Sequence, residues 1–141
     1  GLTSFKLNVL SINRTMMEKL VSLIRMSYEP GLGELLTKTR HFYDLYLTYD
    51  LVEKFYNDAE KLVNMVELVK AAEKNSRFKD AYPYDEKWFK APLVNIINDK
   101  KIEKAYEENF GAEFVYGELP KFELIKEKIK SIAGVLAAAD L

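Results

Sequence analysis

No cysteine occurs anywhere in these 141 residues, so disulfides, thiolate nucleophiles and cysteine-ligated metals are excluded together. Histidine is almost as scarce: His41 is the single copy, and any metal site would depend on carboxylates with at most one imidazole. Di-iron bundles need a Glu-x-x-His pair on each of two helices, and no such pair is present. There is likewise no Gly-x-Ser-x-Gly elbow, no Walker loop and no dinucleotide-binding glycine fingerprint. No run approaches the roughly 18 uncharged apolar residues of a membrane span, and Ser131 to Ala139 is too short for one. The N-terminal Gly-Leu-Thr-Ser-Phe-Lys lacks a secretory pattern. These absences read as a cytoplasmic chain that is not an enzyme, with no catalytic residue, no metal, no cofactor and no membrane partner.

Charge is balanced rather than missing. The 21 Lys and Arg face 22 Asp and Glu, which excludes a uniformly basic nucleic-acid binder and still allows a basic patch. From Gly1 to Phe42 there are six basic against three acidic residues, and the remainder is net acidic. With 48% hydrophobic residues the chain can build a core, and its length predicts one helical-bundle domain over 1–141.

Glycine and proline are absent from Glu34 to Tyr82, the longest stretch without a structure breaker. Leu32, Leu35, Leu36, Thr39, Tyr43 and Tyr46 share one helical face, whereas Leu51, Phe55, Ala59, Leu62, Val66 and Val69 define a second, rotated one. A continuous helix would bury Asp50, so a break is predicted near Thr48 to Asp50. Upstream, Phe5, Leu7 and Val9 alternate like a short strand, after which Ser11 or Asn13 caps a helix that Glu29-Pro30-Gly31 ends. Residues 75–117 read as a connecting or inserted region. Within it Asp99 caps a short helix ended by Gly111, and Glu113 to Tyr116 form a short β element. Pro120 then opens a last helix that buries Phe122, Ile125, Ile129, Ile132, Ala133 and Leu136. The expected fold is mainly α, a bundle of about five helices, its core led by Leu20, Ile24, Leu36, Phe55, Leu62, Val66, Ile129 and Ile132.

Two sets of residues are candidates for binding nucleic acid. Arg14 and Arg25, 11 residues apart, fall on one side of the first helix and with Lys38 and Arg40 could form a phosphate-tracking row; a solvated charged face is the plainer reading. Between Asn75 and Lys90, Arg77 and Lys79 alternate with aromatic residues including Trp88, a composition that holds single strands by charge and stacking. A small satellite core accounts for those aromatics equally. His41, opposite the apolar stripe, reads as a solvated surface histidine.

Gly31-Leu-Gly-Glu-Leu-Leu36, a Gly-Leu-Gly turn between two amphipathic helices, resembles the helix entry of small subunits of CRISPR effector complexes. That resemblance implies a non-catalytic subunit of an antiviral nucleic-acid assembly, helping to hold a guide–target duplex or displaced strand. Its partners would be other protein subunits, copies of the chain among them, and RNA or DNA. Two alternatives stand beside it. One is a protein–protein interaction bundle using the small residues Gly134, Ala137 and Ala138; the other is a helical accessory domain of a replication primase or polymerase.

Overall fold

Leu2, Phe5, Val9, Ile12 and Met16 recur at alternating spacings of three and four, and the chain obeys that period. The computed structural model describes residues 2–74, 95–111 and 120–138, and its first element is a single helix, α1 (Leu2–Ser27). The strand predicted around Phe5 to Val9 is therefore corrected, as is the cap at Ser11 or Asn13. Alternation over three residues is too short to outweigh a helical stripe that leads directly into Met16, Met17, Leu20, Val21, Leu23 and Ile24, all buried.

The chain leaves α1 where Glu29-Pro30-Gly31 predicted it would. Pro30–Leu32 form one 3-10 turn, with Gly31 at φ +80° and Leu32 at φ +56°. The left-handed conformation costs a side-chain-bearing residue about 1–2 kcal/mol, offset at Leu32 by packing against the core. At Gly31 no atom lies within 4 Å of where a Cβ would stand, so Gly31→Ala would meet conformational strain without a clash. A loss of about 1 kcal/mol is expected, read as a lower urea midpoint at unchanged m-value.

The rotation between the two apolar stripes comes from two interruptions, neither of them at the predicted place. Helix α2 (Gly33–Thr37) stops at Lys38, α3 (Arg40–Tyr56) runs unbroken through Thr48 to Asp50, and α4 (Ala59–Lys74) follows a second break at Asn57 and Asp58. Asp58 accepts a hydrogen bond from the Lys61 backbone N–H at 3.2 Å, the bond of an N-cap. Asp50 is not buried: its side chain is 81% exposed and pairs with Lys128 at 3.3 Å. Helix α3 instead turns Phe42, Leu45, Val52, Phe55 and Tyr56 inward.

Helix α5 (Lys100–Gly111) begins after Asp99, whose Oδ1 accepts from the Lys101 backbone N–H at 2.9 Å, as predicted, and is helical up to Gly111, the last described residue of this stretch. Helix α6 (Phe122–Ala138) buries all six residues assigned to its inner face. Of the eight predicted core residues, seven are buried and Leu36 is half-buried. Gly134 is exposed with nothing within 4 Å of a built Cβ, so among the described residues it serves no close helix contact.

The protein is mainly α, and none of the described residues lies in a strand. The predicted β element at Glu113 to Tyr116 and residues 75–94 of the insert lie outside the described residues. Among those described, no helix is long and apolar enough to cross a membrane. Helix α3 is central. It runs antiparallel to α1, with Lys19 beside Asp44 and Met16 beside Thr48, and parallel to α6, with Phe42 against Phe122 and Asp50 against Lys128. Helix α4 covers another side of α1, and α5 packs on α2. Burying each large apolar side chain at these contacts contributes about 1.5–3 kcal/mol.

Candidate functional site

Most ion pairs among the described residues join side chains three or four residues apart, an arrangement that stabilises the local helix and little else. Arg14 makes one of these, 2.7 Å from Glu18 on α1. The junction of α1, α2 and α3 is different, because there charges meet across elements and partly out of water. Lys19 Nζ of α1 donates to Asp44 Oδ2 of α3 at 2.9 Å, with the two side chains only 24% and 20% exposed. Six residues after Lys19, Arg25 is buried between Glu34 of α2 (3.6 Å) and Glu73 of α4 (3.7 Å).

The short break between α2 and α3 adds Lys38, Arg40 and His41 to this junction. Lys38 and Arg40 are exposed, and Arg40 Nε stands 3.9 Å from Asp44 Oδ1. Arg40 and Asp44 are one helical turn apart, so the carboxylate faces Lys19 with Oδ2 and Arg40 with Oδ1. His41, read from sequence as solvated, is half-buried, and its Nδ1 meets no hydrogen-bond partner among the described residues. Burial lowers its pKa, aided by Lys19, Lys38 and Arg25 and opposed by Asp44. The imidazole is therefore neutral at physiological pH and can donate or accept a proton there.

Four cations, three carboxylates and a neutral imidazole thus share one end of the α1–α3 pair. Arg25 is held between its two carboxylates. Lys19 pairs with Asp44, and Lys38 and Arg40 are exposed. The arrangement suits a multiply charged anion: a phosphate approaching the turn would meet two exposed cations first and the partly desolvated Lys19 behind them. Among the described residues no three His, Asp or Glu side chains come together to hold a metal ion.

The four residues of the predicted phosphate-tracking row do not all face one surface. Lys38 and Arg40 stand at the junction, Arg25 lies beneath it in ion pairs, and Arg14 is more than a turn further along α1, paired with Glu18. Arg77, Lys79 and Trp88 lie outside the described residues. Sequence reasoning passed over Lys19 and Asp44 entirely. They are 25 residues apart on different helices, so no local motif joins them.

One family model, described as the nucleotidyl transferase AbiEii toxin of a type IV toxin–antitoxin system, matches residues 2–128. No curated protein matches, and no solved structure does either. This match overturns the resemblance to CRISPR small subunits and the antiviral assembly role it implied. The Gly31-Leu32-Gly33 geometry that carried the resemblance is a 3-10 turn between helices, available to any helical fold. It also overturns the reading of the chain as non-enzymatic, since the family is one of transferases, and neither the interaction bundle nor the primase accessory domain fits better. The second component of such a two-part system is an antitoxin. With residues 2–128 of its 141 matched, the chain belongs to the AbiEii nucleotidyl transferase toxin family.

Proposed function

We propose that this protein transfers a nucleotidyl group from a nucleoside triphosphate to an acceptor, and that Lys19, Lys38, Arg40, His41 and Asp44 meet the triphosphate. The observation that carries the reading is the partly desolvated Lys19–Asp44 pair at 2.9 Å behind an exposed turn of two further cations, in a chain of a transferase family. In such a transfer an acceptor oxygen attacks the α-phosphorus. The bond from that phosphorus to the bridging oxygen of the β-phosphate breaks, pyrophosphate leaves, and the acceptor proton passes to a base. Lys38 and Arg40 would neutralise the β- and γ-phosphates. Lys19, held extended by Asp44, would face the charge that develops around the α-phosphorus, where a preorganised cation is most effective. His41 is placed to take the acceptor proton, being neutral at physiological pH. Divalent metals commonly assist this chemistry. The described residues assemble no ligand set for one, so the roles assigned to them are phosphate binding, charge stabilisation and proton transfer.

The acceptor proposed is RNA or DNA. Exposed Lys38 and Arg40 suit its backbone as well as a triphosphate, and the cation–aromatic alternation at Arg77, Lys79 and Trp88 suits a second contact with unpaired bases. The test is to incubate the protein with α-32P-labelled nucleoside triphosphates and total host RNA, DNA or protein, then follow the label. Transfer into the nucleic-acid fraction from α-labelled but not γ-labelled donor is the expected result. Label in protein alone would move the acceptor, and no transfer to any fraction would sink the reading.

A further inference from the structure

The turn that presents Lys38, Arg40 and His41 contains neither glycine nor proline, and Thr39, at the N-cap position of α3, makes no capping hydrogen bond with its side chain. It is held from a distant part of the chain. Asn109, near the end of α5, donates from Nδ2 to the Leu36 carbonyl of α2 at 3.1 Å and to the Thr39 hydroxyl at 2.9 Å. Leu36 stands at the C-terminal end of α2, where carbonyls have lost their intrahelical partners, and Thr39 is fully buried at the start of α3. One amide group with two N–H bonds thus spans the break, satisfying the end of one helix and fixing the side chain that opens the next.

We infer that Asn109 is a positioning residue for the phosphate-binding turn, an inference that rests on the nucleotidyl-transfer reading of that turn. It touches no proposed substrate atom. It sets where α3 begins relative to α2, and so the direction in which Lys38 and Arg40 leave the backbone and their distance from Lys19. Local bonds from the Lys38 N–H to Leu35 O and from the His41 N–H to Lys38 O define the turn's shape. Asn109 adds the hydrogen-bonded tie that reaches both sides of the break from another helix. Since Asn109 is itself exposed, its loss should disturb placement more than stability.

The experiment is calorimetric titration of the full chain with inorganic tripolyphosphate, alongside kcat and KM for transfer from the nucleoside triphosphate. Asn109→Ala and the near-isosteric Asn109→Asp, which has no N–H to donate, should each raise the tripolyphosphate Kd and the triphosphate KM about tenfold, within the range that losing the two hydrogen bonds allows, with kcat lowered less. Thr39→Val should reproduce that loss without adding to it in the double variant, while Thr39→Ser, which keeps the acceptor oxygen, should restore near wild-type values. If Asn109→Ala fails to fold, Thr39→Val carries the test. Unchanged Kd and KM in a folded variant overturn the inference. Lys19→Ala separates the two levels: if it weakens tripolyphosphate binding and the Asn109 variants do not, only the positioning role falls. Failure of the wild type to bind tripolyphosphate would remove the reading of the site itself.

Discussion

Lys19→Ala should slow nucleotidyl transfer by about 10²–10³-fold, the loss expected when one preorganised group facing transition-state charge is removed. The proposed role gives this variant its large effect. Lys38 and Arg40 are exposed, so water and salt screen them and each can substitute in part for the other. Lys19 is only 24% exposed and is fixed by Asp44, so neither water nor a neighbour replaces it. Asp44→Asn should produce a loss of similar size, because the ammonium is then no longer held in place. The double variant should be no slower than the worse single one, as residues acting as a unit are not additive. Steady-state kinetics on the three variants decide it. A Lys19→Ala protein within threefold of wild type, or losses that multiply in the double variant, would show that the pair is a structural tie.

The largest effect on stability is expected from Leu62→Ala, at about 2–5 kcal/mol, since the side chain on α4 is fully buried and its removal leaves a cavity as well as lost transfer energy. For a chain of this size that corresponds to a fall of roughly 10 °C in thermal midpoint. Six residues along the same helix Leu68 is 59% exposed, and Leu68→Ala should change stability by no more than about 0.5 kcal/mol. Differential scanning calorimetry of the two variants compares the inner and outer faces of one helix. Equal midpoints would place both residues on the surface.

Leu62 was legible in the sequence because α4 is long, regular and amphipathic; so were the inner face of α6 and the start of α5 at Asp99. What escaped was where helices stop without a glycine or proline to stop them. Asn57-Asp58, a pair of turn and capping residues, could have marked the second break. The first, at Thr37 to Thr39, has no such mark, because Asn109 supplies its hydrogen bonds from another helix. Reading across it as one helix put Thr39, Tyr43 and Asp50 on a common wheel, turned His41 outward and forced a break at a point where α3 is continuous. The site was harder still to see. Lys19 and Asp44 lie 25 residues apart and become neighbours only because α1 and α3 run antiparallel. Lys38 and Arg40 were singled out as phosphate contacts from charge alone, without the pair behind them.

The reach of Asn109 across more than 70 residues also puts a clock on the protein's synthesis. Helices α1 to α4 can collapse together as they emerge, being near neighbours in the chain. The turn bearing Lys38 must wait for α5. At about 5–20 residues per second, that interval is roughly 4–15 s per molecule on the ribosome. During it the nascent chain already carries Lys19, Lys38, Arg40, His41 and Asp44, but not the bond that aims the turn. A chain cut before Asn109 would keep every one of those side chains and lack both hydrogen bonds that tie Leu36 to Thr39.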